Sequence, residues 1–437
     1  MQRSRKDVKG LRRAVRDGDT EALKSLLAHS LSVGHRRLGL CRYFTARALG
    51  VEGLEPLSRA ALQVARCLHP SEVFRIASEA TCRALLDRKP IDMLQEKGSL
   101  PPYILPYEGI SPALRTNPRY AGPGSSVLGK VTLGSHATLA PLSVIRADGH
   151  FVDIGDDFFL GERATVHIAH EVYPTRIGNR VRVGRNAVVH ACTVGDDCVI
   201  EDNVTILDGS EVENNVLIEA GSTVYPRSKL LSGYVYGGNP AVIIRQQSQA
   251  EANERAAKIE RDIVAALFSA IPNRAGRSAS NFVASTASIT GHVDLRDQAS
   301  VFFSCELNAG HGSIVVRNNT NIQDNTTIVA RRDGVIIGQD TTIGHNVTIE
   351  DSRIGSRCLI GIGSLISANV HIDDDVLLAA GSTTFAGQRL DAGWLYAGRP
   401  AKPISKLDDQ RRAMMQSIVT TYCAYAREYR SLQQERV

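Results

Sequence analysis

The sequence lacks the features that mark several specialised classes of protein. It has no uninterrupted apolar run of membrane-spanning length, so we do not expect it to span a membrane. Its net charge of +5 over 437 residues is too small to indicate a nucleic-acid partner. Its eight cysteines include no Cys-x-x-Cys pair and fall mostly in helical or strand patterns. This use of cysteine favours an intracellular, reducing compartment.

The first sixteen residues are strongly basic. They hold seven Lys or Arg residues with Asp7 as the only acid, and Val8, Leu11 and Val15 fall on one helical face. Such a pattern fits either an organelle-targeting segment or a solvated first helix. We prefer the helix because acids resume at Asp17 and no Ser-rich stretch is present. The mitochondrial matrix and the cytoplasm both stay open as compartments.

An apolar residue recurs every six positions in the middle of the chain, except for one step of five. The members are Ile177, Val183, Val189, Val194, Ile200, Ile206, Val212, Ile218 and Val224. A period of six fits neither an α-helix nor simple strand alternation, but it is typical of short strands wound into a parallel β-helix. Three steps make one coil of about eighteen residues, and coils stack roughly 4.8 Å apart.

The same column occurs a second time. Residues 337–384 repeat the first series at a constant offset of 160, and the five-residue step falls in the same place. Upstream, residues 133–166 match residues 295–328 at an offset of 162. Two offsets that hold over so many positions indicate the tandem duplication of a whole domain.

Composition and periodicity divide the chain into five segments. They are an all-α domain (1–100), a Pro- and Gly-rich linker (101–126), a first β-helix domain (127–272, copy 1), a second linker (273–284) and a second β-helix domain (285–437, copy 2). Each copy ends in an amphipathic α-helix. We expect the small helical domain either to cap an open end of a solenoid or to dock a partner.

Two histidines leave the core at equivalent positions on successive coils. Val166 and Val189 point inward, so strand alternation turns His167 and His190 outward. Their separation of 23 residues equals one coil plus the five extra residues of the 166–177 step. At roughly 4.8 Å between coils, both imidazoles could reach one metal ion at roughly 2.1 Å. Two histidines leave such a site incomplete, so a third ligand must come from a neighbouring surface.

Several segments of copy 1 resemble the gamma-class carbonic anhydrases. They are Val144-Ile145-Arg146-Ala147-Asp148, Thr165-Val166-His167-Ile168-Ala169-His170, 183–190, Leu207-Asp208-Gly209 and Gly238-Asn239-Pro240-Ala241. The resemblance implies left-handed β-helices in trimeric packing and a metal held by three histidines from two adjacent prisms. The predicted fold class is therefore mainly β, with two tandem left-handed parallel β-helices, each with a C-terminal α-helix, and an N-terminal all-α domain.

Each copy keeps only part of the metal site that the resemblance implies. His167 and His190 match the two histidines that one subunit supplies, and copy 2 has neither. The neighbour's histidine falls on Arg185 in copy 1 and on His345 in copy 2. An arginine has no lone pair to offer a metal. We therefore predict a composite site, in which a copy-1 prism meets a copy-2 prism and unites His167, His190 and His345.

The resemblance assigns four more residues to this site. Arg146 and Asp148 match a family pair that copy 2 lacks, and Gln323-Asp324 matches a family step that copy 1 lacks. With zinc, or alternatively iron or cobalt, three imidazoles and an open position would lower the pKa of bound water to about 7. We then expect a carbonic-anhydrase-type lyase that converts CO2 to bicarbonate. Weaker candidates for the pocket wall are His170, Tyr236 and Asn239.

Two other functions fit the same sequence. A non-catalytic assembly subunit, as gamma-class homologues are in mitochondrial respiratory complex I, would suit the incomplete second copy and the helical domain, which could join a larger complex. A hexapeptide-repeat acyltransferase would use a loop histidine such as His170 as its base. In each case a prism needs neighbours on both sides, so we expect a further prism from another chain, identical or different.

Overall fold

The computed structural model describes residues 5–16, 19–49, 51, 53–86, 103–268 and 281–434. The helices in these ranges are α1 (Arg5–Arg16), α2 (Thr20–Ser32), α3 (Arg36–Ala48), α4 (Glu55–Arg66), α5 (Pro70–Leu86), α6 (Gln249–Ala266) and α7 (Asp409–Gln434). No helix among the described residues combines the length and the hydrophobicity that a membrane crossing requires.

Short strands recur throughout copy 1 and the segment that precedes it. They are β1 (Tyr103–Leu105), β2 (Ala113–Leu114), β3 (Tyr120–Ala121), β4 (Ser126–Leu133), β5 (Thr138–Leu139), β6 (Val144–Ile154), β7 (Phe159–Leu160), β8 (Thr165–His167), β9 (Thr175–Ile177), β10 (Arg182–Val183), β11 (Val188–His190), β12 (Thr193–Val194), β13 (Val199–Ile200), β14 (Thr205–Ile206), β15 (Glu211–Val212), β16 (Leu217–Ile218), β17 (Thr223–Val224), β18 (Lys229–Leu230), β19 (Tyr234–Gly237) and β20 (Val242–Gln246).

Copy 2 repeats the pattern. Its strands are β21 (Phe282–Val283), β22 (Ser288–Leu295), β23 (Ser300–Val301), β24 (Glu306–Val316), β25 (Asn321–Ile322), β26 (Thr327–Val329), β27 (Val335–Ile337), β28 (Thr342–Ile343), β29 (Thr348–Glu350), β30 (Arg353–Ile354), β31 (Leu359–Ile360), β32 (Leu365–Ile366), β33 (His371–Ile372), β34 (Leu377–Leu378), β35 (Arg389–Leu390), β36 (Trp394–Gly398) and β37 (Ala401–Lys406).

The coils of copy 1 stack into a three-sided solenoid, and each of its three faces is a sheet of parallel strands. Face 1 runs through β3, β5, β7, β10, β13, β16 and β19, face 2 through β6, β8, β11, β14 and β17, and face 3 through β6, β9, β12, β15 and β18. The long strand β6 serves two faces, because Ile145 pairs with Val166 and Ile154 pairs with Ile177. The six-residue column lies inside this stack as one buried apolar core. The predicted mainly β architecture of stacked parallel coils is thus confirmed.

Copy 2 has the same three faces. Its face 1 runs through β21, β23, β25, β28, β31, β34 and β36, its face 2 through β24, β26, β29 and β32, and its face 3 through β24, β27, β30, β33 and β35.

Corner glycines let the coils approach closely. In copy 1, a Cβ on Gly161 would lie 2.5 Å from the carbonyl carbon of Gly184 in the next coil. Any larger residue there would push adjacent coils apart.

Helices cover face 1 in both copies. α7 contacts β21, β25 and β28, whereas α6 contacts β10 and β13 of copy 1. α4 and α5 contact α6 in turn, and the helical core continues into face 1 at Phe159, Val199 and Leu217. The helical domain therefore covers the side of copy 1 through its described residues.

The first predicted linker contributes to the solenoid. Within 103–126, β1 and β2 pair in parallel with β4, and β3 pairs in parallel with β5. Pro106, Pro112 and Pro118 lie outside the strands, where a missing backbone N–H breaks no ladder. The second predicted linker, 273–284, falls mostly outside the described residues, and copy 2 has already begun its first strand at Phe282.

Within the chain, one face of copy 1 packs against one corner of copy 2. We call the corner between faces 1 and 2 the ridge; in copy 2 it carries Asn325, Asn346, Gly363 and Gly381. Face 2 of copy 1 lies against it, and Asn325 Nδ2 donates to Thr165 Oγ1 at 2.9 Å. The outward threonines of this face are consequently buried: Thr165, Thr205 and Thr223.

Replacing Ile200 with aspartate should unfold copy 1. Ile200 is fully buried between Val183 and Ile218 on successive coils, where a carboxylate finds no partner. Such burial costs several kcal/mol. Thermal melting followed by circular dichroism would measure the loss, with Thr193→Asp on the exposed outer side of face 3 as the matched control. An Ile200→Asp protein that melts like the control would contradict the coil register.

Candidate metal centre

Three histidines from the two copies meet inside one chain. One ring nitrogen from each of His167, His190 and His345 lies within 4.8 Å of the other two. The ring centroids of His167 and His345 are 4.8 Å apart, and those of His167 and His190 are 5.2 Å apart. All three side chains are buried. The structure therefore brings together the residues of the predicted composite site without a second chain.

The strands of copy 1 place two of the rings, and the ridge of copy 2 places the third. His167 ends β8 and His190 ends β11, and the two pair directly in the strand ladder, as the 23-residue separation predicts. His345 follows β28 on the ridge. The next residue, Asn346, fixes the ridge on copy 1: its Nδ2 donates to Asn186 Oδ1 at 2.7 Å, and its Oδ1 accepts from Thr165 Oγ1 at 2.9 Å.

Each copy-1 histidine has a carboxylate on one ring nitrogen. Asp148 Oδ1 lies 3.0 Å from His167 Nε2, and Asp208 Oδ1 lies 2.6 Å from His190 Nδ1. The opposite nitrogens, His167 Nδ1 and His190 Nε2, approach each other to 3.2 Å. Carboxylates in this position orient a metal-binding imidazole and raise its basicity. Burial raises the pKa of Asp208, but His190 outweighs it, so this pKa is below its usual range.

His345 has a comparable environment on the side of copy 2. Its Nδ1 lies 3.2 Å from Asp324 Oδ2, and its Nε2 lies 3.2 Å from Tyr422 Oη. All three histidines thus have a carboxylate beside one ring nitrogen, and one nitrogen from each ring lies within 4.8 Å of the others. The donor set of three imidazoles therefore fits a divalent metal such as zinc.

Arg146 joins the two copies beside the histidines. Its guanidinium is fully buried, donates to Asp148, and donates through Nε to Asp324 Oδ2 at 3.0 Å. It also donates to Tyr422 Oη at 3.0 Å and lies over the Phe302 ring at 5.1 Å. Burial lowers the pKa of Arg146, but the two carboxylates outweigh it and hold this pKa well above its usual value. The guanidinium is therefore a permanent cation within the site.

Burial keeps His167 and His345 neutral. It lowers the pKa of His167 well below 6.5, and the nearby Arg146 cation lowers it further. Burial also lowers the pKa of His345 to about 4, although Asp324 opposes this shift. Neutral imidazoles have the free lone pair that a metal ligand needs.

The metal-free protein should lose stability as the pH falls from about 6.5 to about 4. In this window an unfolded chain protonates His345, with its usual pKa of 6.5, but the folded chain does not. The contribution of His345 to the free energy of unfolding is thus complete above the usual pKa and is lost as the pH approaches about 4. Urea unfolding at several pH values would measure how steeply the free energy of unfolding falls with pH. A His345→Gln protein with the same slope would contradict this assignment.

α7 of copy 2 supplies site residues that sequence reasoning missed. Tyr422, Tyr425 and Tyr429 follow one another at helical spacing and cover the Arg146 side of the site. Tyr429 Oη donates to Asp148 Oδ2 at 3.2 Å. The spacing of the three tyrosines was visible in the sequence, but nothing local indicates that they reach the other copy. Asp208 lay within a quoted motif, yet its contact with a histidine was not foreseen.

The remaining candidates take different positions. Gln323 is buried and donates through Nε2 to Asn321 Oδ1 at 3.3 Å. His170 lies at the edge of the site, where its Nδ1 is 2.6 Å from Tyr425 Oη. Tyr236 and Asn239 have structural positions. Tyr236 belongs to the core of copy 1, and Asn239 Nδ2 donates to Gly381 O of copy 2 at 3.0 Å.

Family models match the chain on both copies. The family model "Bacterial transferase hexapeptide (six repeats)" matches residues 174–208 and 191–226, and "Hexapeptide repeat of succinyl-transferase" matches 352–384. The carbonic anhydrase of Geobacillus kaustophilus is 31% identical over 160 residues, which cover 36% of this chain and 88% of that protein. This chain belongs to the gamma carbonic anhydrase-like family of hexapeptide-repeat proteins. Protein YrdA of Escherichia coli is 37% identical over 133 residues, 29% of this chain and 72% of that protein.

Plant relatives extend the comparison. Mitochondrial gamma carbonic anhydrase 2 of Arabidopsis thaliana is 36% identical over 137 residues, which cover 30% of this chain and 49% of that protein. The chain thus spans about half the length of the first curated relatives that it matches. Gamma carbonic anhydrases are metal enzymes, and the three clustered imidazoles of this gamma carbonic anhydrase-like chain fit that chemistry.

Proposed function

We propose that this protein hydrates CO2 to bicarbonate at a metal ion held by His167, His190 and His345. One observation carries the proposal: three buried histidines from two different copies lie with ring nitrogens within 4.8 Å of one another. Each ring also has a carboxylate beside one nitrogen. Copy 1 by itself lacks the third ligand, since Arg185 occupies that position. The proposed enzyme is therefore a lyase whose single site needs both copies.

The metal, zinc or alternatively iron or cobalt, would supply a Lewis acid and a bound water of lowered pKa. The residues of the chain have the other tasks. Asp148 and Asp208 accept the N–H protons of His167 and His190, which directs the opposite ring nitrogens to the centre. Gln323 is proposed to orient the bound hydroxide, as the family resemblance implies.

Arg146, Asp324 and α7 complete the proposed site. Burial raises the pKa of Asp324, but Arg146 and His345 outweigh it, so the carboxylate stays ionised. The resulting charge pairs are buried and fix the geometry around the rings. Tyr422 and Tyr429 limit access of water from this side, because both are buried and hydrogen-bonded to site residues. A small uncharged substrate such as CO2 suits such an enclosed site.

Metal content and CO2 hydration test the proposal together. We would load the purified protein anaerobically with zinc, iron or cobalt, remove excess metal, and follow CO2 hydration by stopped-flow spectroscopy with a pH indicator. We expect one tightly bound metal ion per chain and a hydration rate that follows occupancy. A folded protein that retains no metal under these conditions would refute the enzyme proposal.

A non-catalytic assembly subunit is the second candidate. It is favoured by the helical domain packed on copy 1 and by the second copy, whose face 2 carries Val329 and Glu350 at the positions of His167 and His190. A metal-free native protein within a larger complex would support this candidate. The mitochondrial matrix and the cytoplasm are both proposed compartments, and the names of two Arabidopsis thaliana relatives include the word mitochondrial.

A further inference from the structure

Positive charge is concentrated in the helical domain. Residues 1–86 contain sixteen Lys or Arg and eight Asp or Glu, a net charge of +8, whereas the rest of the chain has a net charge of −3. An excess of this size on one small domain attracts negatively charged partners over a distance. The charge therefore distinguishes the helical domain from the two β-helices.

The first helix carries the densest part of this charge. Lys9, Arg12 and Arg13 lie three or four residues apart on α1, so they share one side of the helix. All three are exposed, and none forms an ion pair within the described ranges of the chain. Another side of α1 is apolar and packs on the domain, where Val15 contacts the helical core. The helix is thus held in place while its cations face solvent.

α3 extends the surface that α1 begins. Burial lowers the pKa of Arg42, and the Arg12 cation of α1 lowers this pKa further, so the two guanidiniums are close. Leu38 precedes Arg42 by one helical turn and is 39% exposed. We call Lys9, Arg12, Arg13, Leu38 and Arg42 the basic surface. It combines four cations with an exposed aliphatic side chain.

We propose that the basic surface attaches this protein to the face of an anionic phospholipid bilayer. Anionic headgroups attract exposed Lys and Arg residues, and each cation near the surface strengthens binding. An aliphatic side chain among such cations can enter the headgroup region, as the apolar residues of interfacial helices do. Both components of the basic surface therefore gain from a bilayer.

A nucleic acid would use this surface less completely. Its phosphates could pair with the cations, but they offer nothing to Leu38. Single strands also bind by stacking their bases on exposed aromatic rings. The aromatic residues of the helical domain, Tyr43, Phe44 and Phe74, are all buried. The combination of charge and exposed leucine therefore favours the bilayer.

Attachment through the basic surface leaves the metal centre uncovered. The helical domain packs on face 1 of copy 1, whereas His167 and His190 end strands of face 2. The remainder of the chain, with its net charge of −3, has no comparable attraction for anionic lipid. The bilayer should thus meet the helical domain first. This inference does not depend on the proposed catalytic function.

Co-sedimentation of the full chain with lipid vesicles tests the proposal. We expect binding to vesicles of phosphatidylcholine mixed with phosphatidylserine, no binding to phosphatidylcholine alone, and weaker binding as salt is added. Lys9→Gln, Arg12→Gln and Arg13→Gln combined should weaken binding roughly 100-fold, from about fivefold per cation. Glutamine preserves the helix propensity of each position.

A triple variant on the β-helices is the matched control. Arg227→Gln, Arg317→Gln and Lys402→Gln remove the same charge from exposed positions of the two copies and should leave binding unchanged. Leu38→Gln should weaken binding roughly tenfold, because the side chain no longer enters the headgroup region. Leu365→Gln, at a residue of copy 2 that is 41% exposed, should have no effect.

Three results would overturn the proposal: no sedimentation with phosphatidylserine vesicles, equal losses in the two triple variants, or tighter binding to duplex DNA or to RNA than to these vesicles. Circular dichroism verifies that each variant is folded. Metal content is measured on the same samples. Loss of vesicle binding with retained metal would separate membrane attachment from the proposed metal centre.

Discussion

Replacing His345 with alanine is expected to abolish tight metal binding while leaving both β-helices folded. The change removes one of three imidazoles, and two histidines hold zinc far more weakly than three. The loss should exceed the roughly 10- to 100-fold effect typical of residues that only support a ligand. Competition with a chromophoric chelator would measure affinity, and CO2 hydration should fall in parallel.

The copy-1 histidines provide the matching half of this experiment. His167→Ala and His190→Ala should lower metal occupancy as His345→Ala does, because all three rings converge on one centre. His371→Ala is the control, since His371 lies on an exposed part of copy 2. Loss of metal from His167→Ala, with full occupancy retained by His345→Ala, would rule out a site shared by the two copies.

Replacing Arg146 with alanine should cause the largest loss of stability of any single change in the site. Arg146 is fully buried between Asp148 and Asp324, and its removal leaves two buried carboxylates without a cation. Breaking a buried pair in this way costs about 3–5 kcal/mol. Urea unfolding would measure the loss, and Arg245→Ala, which removes a surface ion pair, should cost less than about 1 kcal/mol.

The pH dependence of the variant gives an internal check. Arg146 helps to hold the pKa of Asp324 below its usual value, so removing the guanidinium raises that pKa. The difference in stability between Arg146→Ala and wild type should therefore shrink as acid protonates the carboxylate. A difference that stays constant down to low pH would show that lost packing against Phe302, and not lost charge, dominates the effect.

The sequence by itself determined the architecture of each copy. A column with a period of six sets strand length and register together, because a shift of one residue would expose the whole column. Ile200 and its neighbours therefore lie where the period places them. The same arithmetic put His167 and His190 on successive coils, since the separation along the chain measures position within a coil. The loss of different ligands in each copy predicted a site shared by the two copies.

Only the tertiary structure decided which surfaces meet. Periodicity locates a residue within its own coil, but it carries no information about the relative placement of two finished solenoids. That placement depends on complementary surfaces far apart in sequence, such as Asn346 against Thr165. For the same reason the tyrosines of α7 gave no local sign that they reach Asp148 of the other copy. The burial of His345 and the exposure of Leu365 both follow from this packing, because each depends on what covers a face.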